Sequence, residues 1–329
     1  MNLKKTLSAV IGTVMIGVTL TGCGLRPSTS ALPNLEPASL QPIPAAEGQR
    51  VVITSKSFTE QLILGKMAVY IADAAGFDVT DMTGVPGSQP SRKLMVSGRA
   101  QIAYEYTGTA WLAYLGHEDG RPDKQEQWQV VHDEDAQKNG LTWSDPAPLN
   151  NTYAFAVRRD YAEQNNLKTL SDIKNLPVAE RTMCVDAEFN SRTDGLNPML
   201  ETYDMKRGSA DGIPENNISL LDTGTIYKAT DTGACNLGEV FTTDGRIQSL
   251  DLVVLEDDKH YFPAYNAAPV FNTEFLNKYP EIAERFAQVT QLLDDDTMRS
   301  LNLKVDVEGA DPSQVALDWM VEQGFITKS

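Results

Sequence analysis

The stretch YEYTGT at residues 104–109, followed by AWL at 110–112, is the part of the sequence from which the fold is predicted. It indicates the end of a short strand at 101–106, a turn that contains glycine, and the start of a helix. In an α/β lobe, such a turn presents side chains and helix N-terminal N–H groups at the carboxyl edge of the strands, where ligands usually bind. Its tyrosine rings and threonine hydroxyls can hold a small cationic ligand without doing chemistry on it. The alternative is that one tyrosine packs in the core while the threonines cap the helix.

The residues before this stretch alternate in the same way between strand and helix. An apolar strand at 51–53 leads into the loop TSKSFTEQ at 54–61, where Thr59 is the expected N-cap of a helix that Gly76 ends. Lys56 therefore lies in a strand-to-helix loop at the same sheet edge as the YEYTGT turn. A solvated lysine without a ligand is the alternative.

The remaining elements predict an α/β fold with two lobes. A strand at 77–82 and a helix at 91–97 complete a β-α-β-α-β order, which indicates a parallel sheet with right-handed crossovers. A second α/β pattern begins near residue 151, and the C-terminal helices are expected to pack back on the first half. We therefore expect a cleft between two lobes that are joined by two crossing strands.

Residues 1–23 are predicted to be a lipoprotein signal peptide rather than part of the fold. A basic Lys-Lys pair precedes an apolar stretch at 6–20, which has the length of a signal peptide and is short for a membrane span. The stretch ends in LTGC at 20–23, which resembles a bacterial lipobox; an ordinary signal peptide with an incidental cysteine is the alternative. The lipobox implies acylation of Cys23, so that the mature protein is anchored to the cell membrane and works outside the cytoplasm.

Residues 24–49 are rich in proline, serine and alanine. They show no apolar periodicity, so we expect an extended tether that buries no core. A tether between a lipid and a folded domain is suited to a membrane-held receptor.

The composition argues against a nucleic-acid partner. The formal net charge is −17 and the pI is about 4.6, so the chain lacks the basic surface that binds phosphate backbones. Acidic charge of this kind is typical of soluble extracytoplasmic proteins. It does not exclude an anionic ligand, because a local pocket can hold positive side chains.

Sequence motifs for catalysis and metal binding are absent. The chain has no nucleophile elbow, P-loop, dinucleotide fingerprint or zinc-protease helix. His117, His132 and His260 are isolated from one another and from cysteines at metal-ligand spacing. We therefore expect no catalytic residue, no metal and no cofactor, and an enzyme is the weaker class.

Cys184 and Cys235 are the cysteines that remain after Cys23. Each falls in a predicted strand of the same half of the chain, and an even pair in an oxidising compartment predicts a disulfide between them. Two buried free thiols are the alternative.

Several segments recur in one order in a known family. They are SKSFTEQ at 55–61, YEYTGT at 104–109, NTY at 151–153, TTDGR at 242–246 and PAYNAAP at 263–269. From about Val51 to the C-terminus, the chain resembles the substrate-binding proteins of ABC importers for glycine betaine, choline and related osmoprotectants. The resemblance implies a two-lobed, type II periplasmic-binding-protein fold that closes on its ligand by hinge motion. Lobe I then comprises 50–150 with 263–329, and lobe II comprises 151–262.

The resemblance also implies a ligand site, carried over residue by residue. An aromatic cage for a quaternary ammonium group is formed by Tyr106, Tyr153, Phe241 and Tyr265. The family often has tyrosine where Phe241 stands; phenylalanine keeps the π-face and loses the hydroxyl. The polar contacts to a ligand carboxylate come from Lys56, Thr109, Asn151 and Arg192.

The implied protein is a monomer that delivers glycine betaine, or a related quaternary ammonium osmolyte, to ABC permease and ATPase subunits. Two cations at the site favour a betaine over choline, because choline has no carboxylate. Two other classes stay open beside this one. A ligand-sensing or adhesion lipoprotein can use the same fold, since fold does not fix function. An extracytoplasmic enzyme is less favoured because no catalytic group is identified.

Overall fold

The computed structural model describes residues 35–118, 120–121, 123–192 and 195–328. The predicted signal peptide, the lipobox and Cys23 lie outside these residues. Among the helices of the described ranges, none has both the length and the apolar character needed to cross a bilayer.

The strands of the described residues form two five-stranded sheets and one two-stranded pair. In chain order they are β1 (Leu35–Pro37), β2 (Arg50–Lys56), β3 (Asp78–Val85), β4 (Ile102–Tyr106), β5 (Leu141–Trp143), β6 (Tyr153–Arg158), β7 (Met183–Val185), β8 (Ile218–Leu220), β9 (Leu237–Phe241), β10 (Leu252–Val254), β11 (Ala267–Asn272) and β12 (Ile326–Lys328).

The helices alternate with these strands and then dominate the C-terminal segment. They are α1 (Thr59–Ala74), α2 (Ser88–Val96), α3 (Thr107–Thr109), α4 (Lys124–Asn139), α5 (Arg159–Asn165), α6 (Ala187–Ser191), α7 (Leu196–Thr202), α8 (Thr223–Asp231), α9 (Gly245–Ser249), α10 (Thr273–Lys278), α11 (Glu281–Thr290), α12 (Asp295–Asp306) and α13 (Pro312–Glu322). A π-helical turn at Ala110–Tyr114 continues α3, and short 3-10 segments lie at 44–46, 170–175, 178–180 and 215–217.

The sheet of lobe I has the strand order β3-β2-β4-β11-β5. β2 pairs in parallel with β3 and with β4, which confirms the parallel arrangement predicted around the YEYTGT stretch. β11 returns from the distant part of the chain and pairs antiparallel with β4, so that Ala267 faces Tyr106 across the ladder. The end of β4 therefore lies at the sheet edge where α1 and α3 begin.

Helix α1 packs on this sheet through apolar side chains at helical spacing. Those that are buried in the core include Ile63, Leu64, Met67, Tyr70 and Ile71.

The two ends of α1 match the prediction differently. The helix ends before Gly76, whose φ of +99° is readily adopted by glycine. The predicted N-cap is wrong: Phe58 occupies that position, and the Thr59 hydroxyl donates instead to the Asp306 carboxylate at 2.5 Å. The cap prediction failed because a distant carboxylate competes for the hydroxyl.

The sheet of lobe II has the strand order β10-β6-β9-β7-β8. β6 pairs antiparallel with β9 and β10, while β7 pairs in parallel with β8 and β9. The sulfurs of Cys184 and Cys235 are bonded, with their Cα atoms 5.9 Å apart. Cys184 lies in β7, but Cys235 lies just before β9 rather than within a strand.

The segments 144–152 and 255–266 connect the two sheets. They lie side by side: the Asn151 N–H donates to the Tyr265 carbonyl at 3.2 Å, and the Tyr265 N–H donates to the Asn150 side chain at 2.7 Å. Residues of the predicted site therefore lie in both connecting segments.

The N-terminal residues from 35 onward belong to the folded domain. β1 pairs antiparallel with the C-terminal β12, and Leu40, Ile43 and Ala46 are buried in the core of lobe I. The prediction of an extended tether over 24–49 is therefore wrong for residues 35–49, and residues 24–34 lie outside the described residues. The prediction failed because burial of these side chains depends on contacts with distant elements of lobe I.

The C-terminal helices contact both lobes. α11, α12 and α13 pack against α1, as predicted for a tail that returns to lobe I. In addition, α12 reaches lobe II, where Asn302 donates to the Thr243 carbonyl at 2.9 Å and Arg299 donates to the Thr242 carbonyl at 2.8 Å. A Cβ added at Gly245 would lie 2.4 Å from the Cα of Leu303, so the absence of a side chain there permits the close approach.

Candidate functional site

A cavity of about 770 Å³ is lined by side chains from both lobes and from the connecting segments. Every residue predicted to contact the ligand lines this cavity: Lys56, Tyr106, Thr109, Asn151, Tyr153, Arg192, Phe241 and Tyr265. Side chains that the sequence places far apart are thus brought to one place by the folds of the two sheets.

Aromatic rings cluster on the side of the cavity that lobe II forms. Tyr153 and Phe241 are cross-strand partners in β6 and β9, with ring centroids 5.2 Å apart. Tyr265, in a connecting segment, meets Tyr153 edge to face at 6.2 Å. Gly108 packs directly on Tyr265, since a Cβ there would lie 2.7 Å from the ring. The glycine of the YEYTGT turn is therefore required for this ring position.

On the side of lobe I, Tyr106 lies at the end of β4 beside Phe58, with ring centroids 6.0 Å apart. Phe58 also lines the cavity and is 44% exposed, an unusual exposure for a large aromatic side chain. Phe58 was not predicted as a site residue, although it stands within the SKSFTEQ segment.

The charge of Lys56 is compensated within the protein. Its ammonium lies 2.7 Å from a Glu105 carboxylate oxygen, and both side chains are buried. The Tyr114 hydroxyl contacts both Glu105 oxygens at 3.1 Å. Lys56 also lies 4.9 Å from the centre of the Tyr106 ring. It is thus part of a buried polar cluster rather than an exposed cation.

Arg192 lies just after α6 and faces the aromatic cluster. Its guanidinium donates to the Tyr265 hydroxyl at 3.2 Å and lies 5.6 Å from the centre of the Tyr153 ring. It also pairs with Glu188 at 3.2 Å, and the Glu188 side chain is largely exposed. Arg192 therefore places a cation among the predicted cage residues.

Glu60 is another cavity residue that was not predicted from the sequence. It lies in the first turn of α1, is 2% exposed, and accepts hydrogen bonds from Tyr106, Asn151, Thr243 and Asn302. Burial raises the pKa of its carboxyl above the ordinary range, although these hydrogen bonds oppose the shift. A signal was present, because Glu60 belongs to the SKSFTEQ segment, from which only Lys56 was taken.

Carboxyl groups also lie behind the aromatic cluster in lobe II. Asp186 and Glu188 line the cavity, and the Asp186 N–H donates to Glu239 at 2.7 Å. Burial raises the pKa of Glu239 to about 9, and the neighbouring charge of Asp186 adds to the shift. These acids were not predicted as site residues because an acidic chain scatters carboxylates throughout its sequence.

Arg246 is a further cation at the cavity. It pairs with Asp244 at 2.5 Å and lies 4.3 Å from the centre of the Tyr227 ring. Both residues of the pair line the cavity, and both belong to the TTDGR segment. Within the described residues, no group of His, Cys, Asp and Glu side chains is arranged to hold a metal ion.

Two α/β lobes, with aromatic rings and charges of both signs in a cavity between them, define a substrate-binding protein of the two-lobed periplasmic type. The family model described as the substrate binding domain of the ABC-type glycine betaine transport system matches residues 49–322. The chain belongs to this family, which confirms the resemblance seen in its motifs.

Individual relatives agree with the family match. The chain is 37% identical over 289 residues to a glycine-betaine-binding protein of Pseudomonas aeruginosa, covering 85% of this chain and 90% of the relative. It is 30% identical over 290 residues to the glycine betaine-binding protein YehZ of Escherichia coli, covering 86% and 93%. A crystal structure described as a glycine betaine/carnitine/choline ABC transporter superimposes with a TM-score of 0.74 at 25% identity, covering 84% of this chain and 99% of that one.

Proposed function

We propose that this protein binds glycine betaine, or a related quaternary ammonium osmolyte, outside the cytoplasm and delivers it to the permease and ATPase subunits of an ABC importer. The observation that carries the proposal is the position of Arg192, which contacts Tyr265 and lies over Tyr153 within the same cavity. This position puts a guanidinium next to aromatic faces. A ligand with a cationic and an anionic end requires both, because the rings attract its cation and the guanidinium attracts its anion.

The aromatic residues suit the cationic end of such a ligand. A trimethylammonium group has no N–H to donate, so directional hydrogen bonds cannot select it. Aromatic faces attract it by about 0.5–2 kcal/mol each, depending on how far the site is desolvated. Tyr106, Tyr153, Phe241 and Tyr265 together with a charge-assisted carboxylate contact are sufficient for the roughly 8 kcal/mol of micromolar binding.

The anionic end of the ligand is proposed to contact Arg192, with Thr109 and Asn151 as further polar contacts. A guanidinium can hold both oxygens of a carboxylate. The pairing of Lys56 with Glu105 leaves Arg192 as the principal cation for this contact. Glycine betaine is therefore expected to bind more tightly than choline, which ends in a hydroxyl.

The cellular arrangement is part of the proposal. We propose a monomer anchored by a lipid on Cys23, with lobe I at 50–150 and 263–329 and lobe II at 151–262. The lobes close over the ligand by hinge motion around the connecting segments. The membership of the chain in a transport family supports a binding role without catalysis.

Ligand screening of the purified full chain tests the proposal. Thermal-shift measurements with glycine betaine, choline, carnitine and proline are expected to show stabilisation by the quaternary ammonium compounds, because a ligand bound only by the folded state raises its stability. Calorimetry then ranks the affinities. Stabilisation by proline alone, or by none of these compounds, would contradict the proposal.

The lipid anchor is tested separately from ligand binding. Cys23→Ala is expected to release the protein from the membrane fraction while ligand affinity stays unchanged, since Cys23 is not among the residues predicted to contact the ligand. A variant that remains in the membrane fraction would refute the lipoprotein interpretation.

A further inference from the structure

We infer that Glu60 is a positioning residue that makes the cavity select a cation, by supplying a buried negative charge through the hydroxyl of Tyr106. The inference rests on the proposed function and deepens it. It concerns the charge of the ligand's head group rather than its carboxylate, which Arg192 is proposed to contact.

Glu60 joins four separate parts of the chain. One carboxylate oxygen accepts from the Tyr106 hydroxyl at 2.7 Å and the Asn151 amide at 3.0 Å. The other accepts from the Thr243 hydroxyl at 2.6 Å and the Asn302 amide at 3.3 Å. The amide groups can only donate here, so the contacts suit an ionised carboxylate, which accepts at both oxygens. Tyr106 and Asn151 are themselves predicted ligand contacts.

No cation within the described residues forms an ion pair with Glu60. The nearest lysine in sequence, Lys56, pairs with Glu105 instead. A buried carboxylate that has hydrogen-bond donors but no counter-charge leaves a net negative potential at the cavity wall. A ligand cation in the cavity would supply the missing counter-charge, whereas a neutral ligand would not.

Tyr106 transmits this charge to the ligand. Its hydroxyl donates to Glu60 while its ring faces the cavity side of β4, beside Phe58. A phenol hydrogen-bonded to an anion is polarised, so electron density at its ring increases. The Lys56 ammonium also lies 4.9 Å from the centre of this ring, but its charge is compensated by Glu105. The polarised ring therefore attracts a quaternary ammonium group more strongly than an unpolarised tyrosine does.

The alternative is that Glu60 only holds the two lobes together. Thr243 belongs to lobe II and Asn302 to α12, so loss of Glu60 also removes contacts between these parts. A purely structural role would weaken all ligands alike. The distinguishing readout is therefore the preference for a charged ligand over a neutral ligand of the same shape.

Glu60→Gln keeps the size of the side chain and removes its charge. Calorimetry is carried out on the full chain with choline and with 3,3-dimethylbutan-1-ol, in which carbon replaces the quaternary nitrogen. The matched control is Glu215→Gln, the same substitution at a carboxylate whose side chain is 66% exposed and pairs with Arg207. Circular dichroism and thermal melting check that each variant is folded.

Glu60→Gln is expected to weaken choline binding by about tenfold or more, while binding of the neutral alcohol changes by less than about threefold. Glu215→Gln is expected to leave the choline-to-alcohol preference within about twofold of the wild type, because solvent screens that carboxylate. An equal loss of both ligands in Glu60→Gln, or no loss of either, would overturn the inference while the proposed function stands. A wild type that binds neither choline nor glycine betaine would refute the proposed function and, with it, this inference.

Discussion

In lobe I, the ammonium of Lys56 lies 2.7 Å from Glu105, and the side chains are 5% and 1% exposed. In lobe II, the guanidinium of Arg192 lies 3.2 Å from Glu188, and the exposures are 18% and 71%. A buried ion pair resists separation because each charge would be left unpaired away from water, whereas a pair with one exposed partner separates easily. The difference indicates that the Lys56–Glu105 pair of lobe I is held rigidly, whereas the Arg192–Glu188 pair of lobe II reaches solvent.

The first prediction tests how much the buried Lys56–Glu105 pair of lobe I stabilises the protein. Lys56→Met is expected to lower the free energy of unfolding by about 3–5 kcal/mol, because Glu105 is left buried without its counter-charge. Urea denaturation measures the change. The control is Lys228→Met, which removes an ion pair with Asp231 whose lysine side chain is 67% exposed, and its expected effect is below about 1 kcal/mol. Similar changes in the two variants would mean that the Lys56–Glu105 pair is not preorganised.

The second prediction tests the proposed contact between Arg192 and a ligand carboxylate. Arg192→Ala is expected to remove most of the preference for glycine betaine over choline, about 1.5–3 kcal/mol, because the charge-assisted contact to the carboxylate is lost. Calorimetry on both ligands measures the preference. The matched variant is Tyr265→Ala, which should weaken both ligands together. A wild type that binds choline as tightly as glycine betaine would show that the carboxylate contact is misassigned.

The third prediction concerns Glu239, a buried carboxyl group of lobe II. Burial and the charge of Asp186 raise the pKa of Glu239 to about 9. For an acid with a raised pKa in the folded state, the stabilising contribution is complete below the pKa of the unfolded chain and is lost as pH rises through the folded pKa. Glu239 should therefore lower the stability of the wild type progressively between about pH 5 and pH 9.

Glu239→Gln is expected to reduce this decline by about 1–3 kcal/mol, since the amide has no proton to lose in that range. The free energy of unfolding at pH 5, 7 and 9, measured without ligand, gives the slope. Glu284→Gln serves as the control because that side chain is 72% exposed, and it should leave the slope unchanged. An unchanged slope in Glu239→Gln would place the titrating group elsewhere.

The smallest expected effect concerns Phe241. Phe241→Tyr adds a hydroxyl to the ring that lies next to Tyr153 in the aromatic cluster. Both glycine betaine and choline are expected to bind more tightly by about 0.5 kcal/mol, because tyrosine attracts a cation slightly more strongly than phenylalanine. Calorimetry on both ligands measures the change. Tightening of only one ligand would mean that the new hydroxyl contacts its other end.

Much of the site was predictable because its residues stand in local patterns. The YEYTGT stretch combines a buried strand with a glycine turn, and this pattern alone places Tyr106 and Thr109 at the edge of a parallel sheet. The motifs NTY and PAYNAAP likewise identified Asn151, Tyr153 and Tyr265, which line the same cavity. The roles of these three residues followed from the family resemblance that the motifs carry, rather than from the order of elements.

The partners of the charged residues were not predictable in the same way. Glu60 receives hydrogen bonds from Tyr106, 46 residues away, and from Asn302, 242 residues away. Lys56 was expected to face a ligand, but it pairs with Glu105, whose strand is adjacent only in the folded sheet. An acidic chain offers many carboxylates, so composition and spacing do not indicate which of them lies beside a given cation.

Local patterns in the sequence predicted the α/β alternation and the parallel sheet around residue 106, because periodicity and turn signals are local properties. The motifs indicated the family, and its resemblance supplied eight cavity residues but missed others such as Phe58, Glu60 and Arg246. Tertiary structure alone decided that Leu40, Ile43 and Ala46 are buried in the core and that α12 reaches lobe II. It also decided that the charge of Lys56 is neutralised by the buried Glu105. The physical reason is that burial and charge pairing depend on distant segments of the chain, which local sequence does not specify.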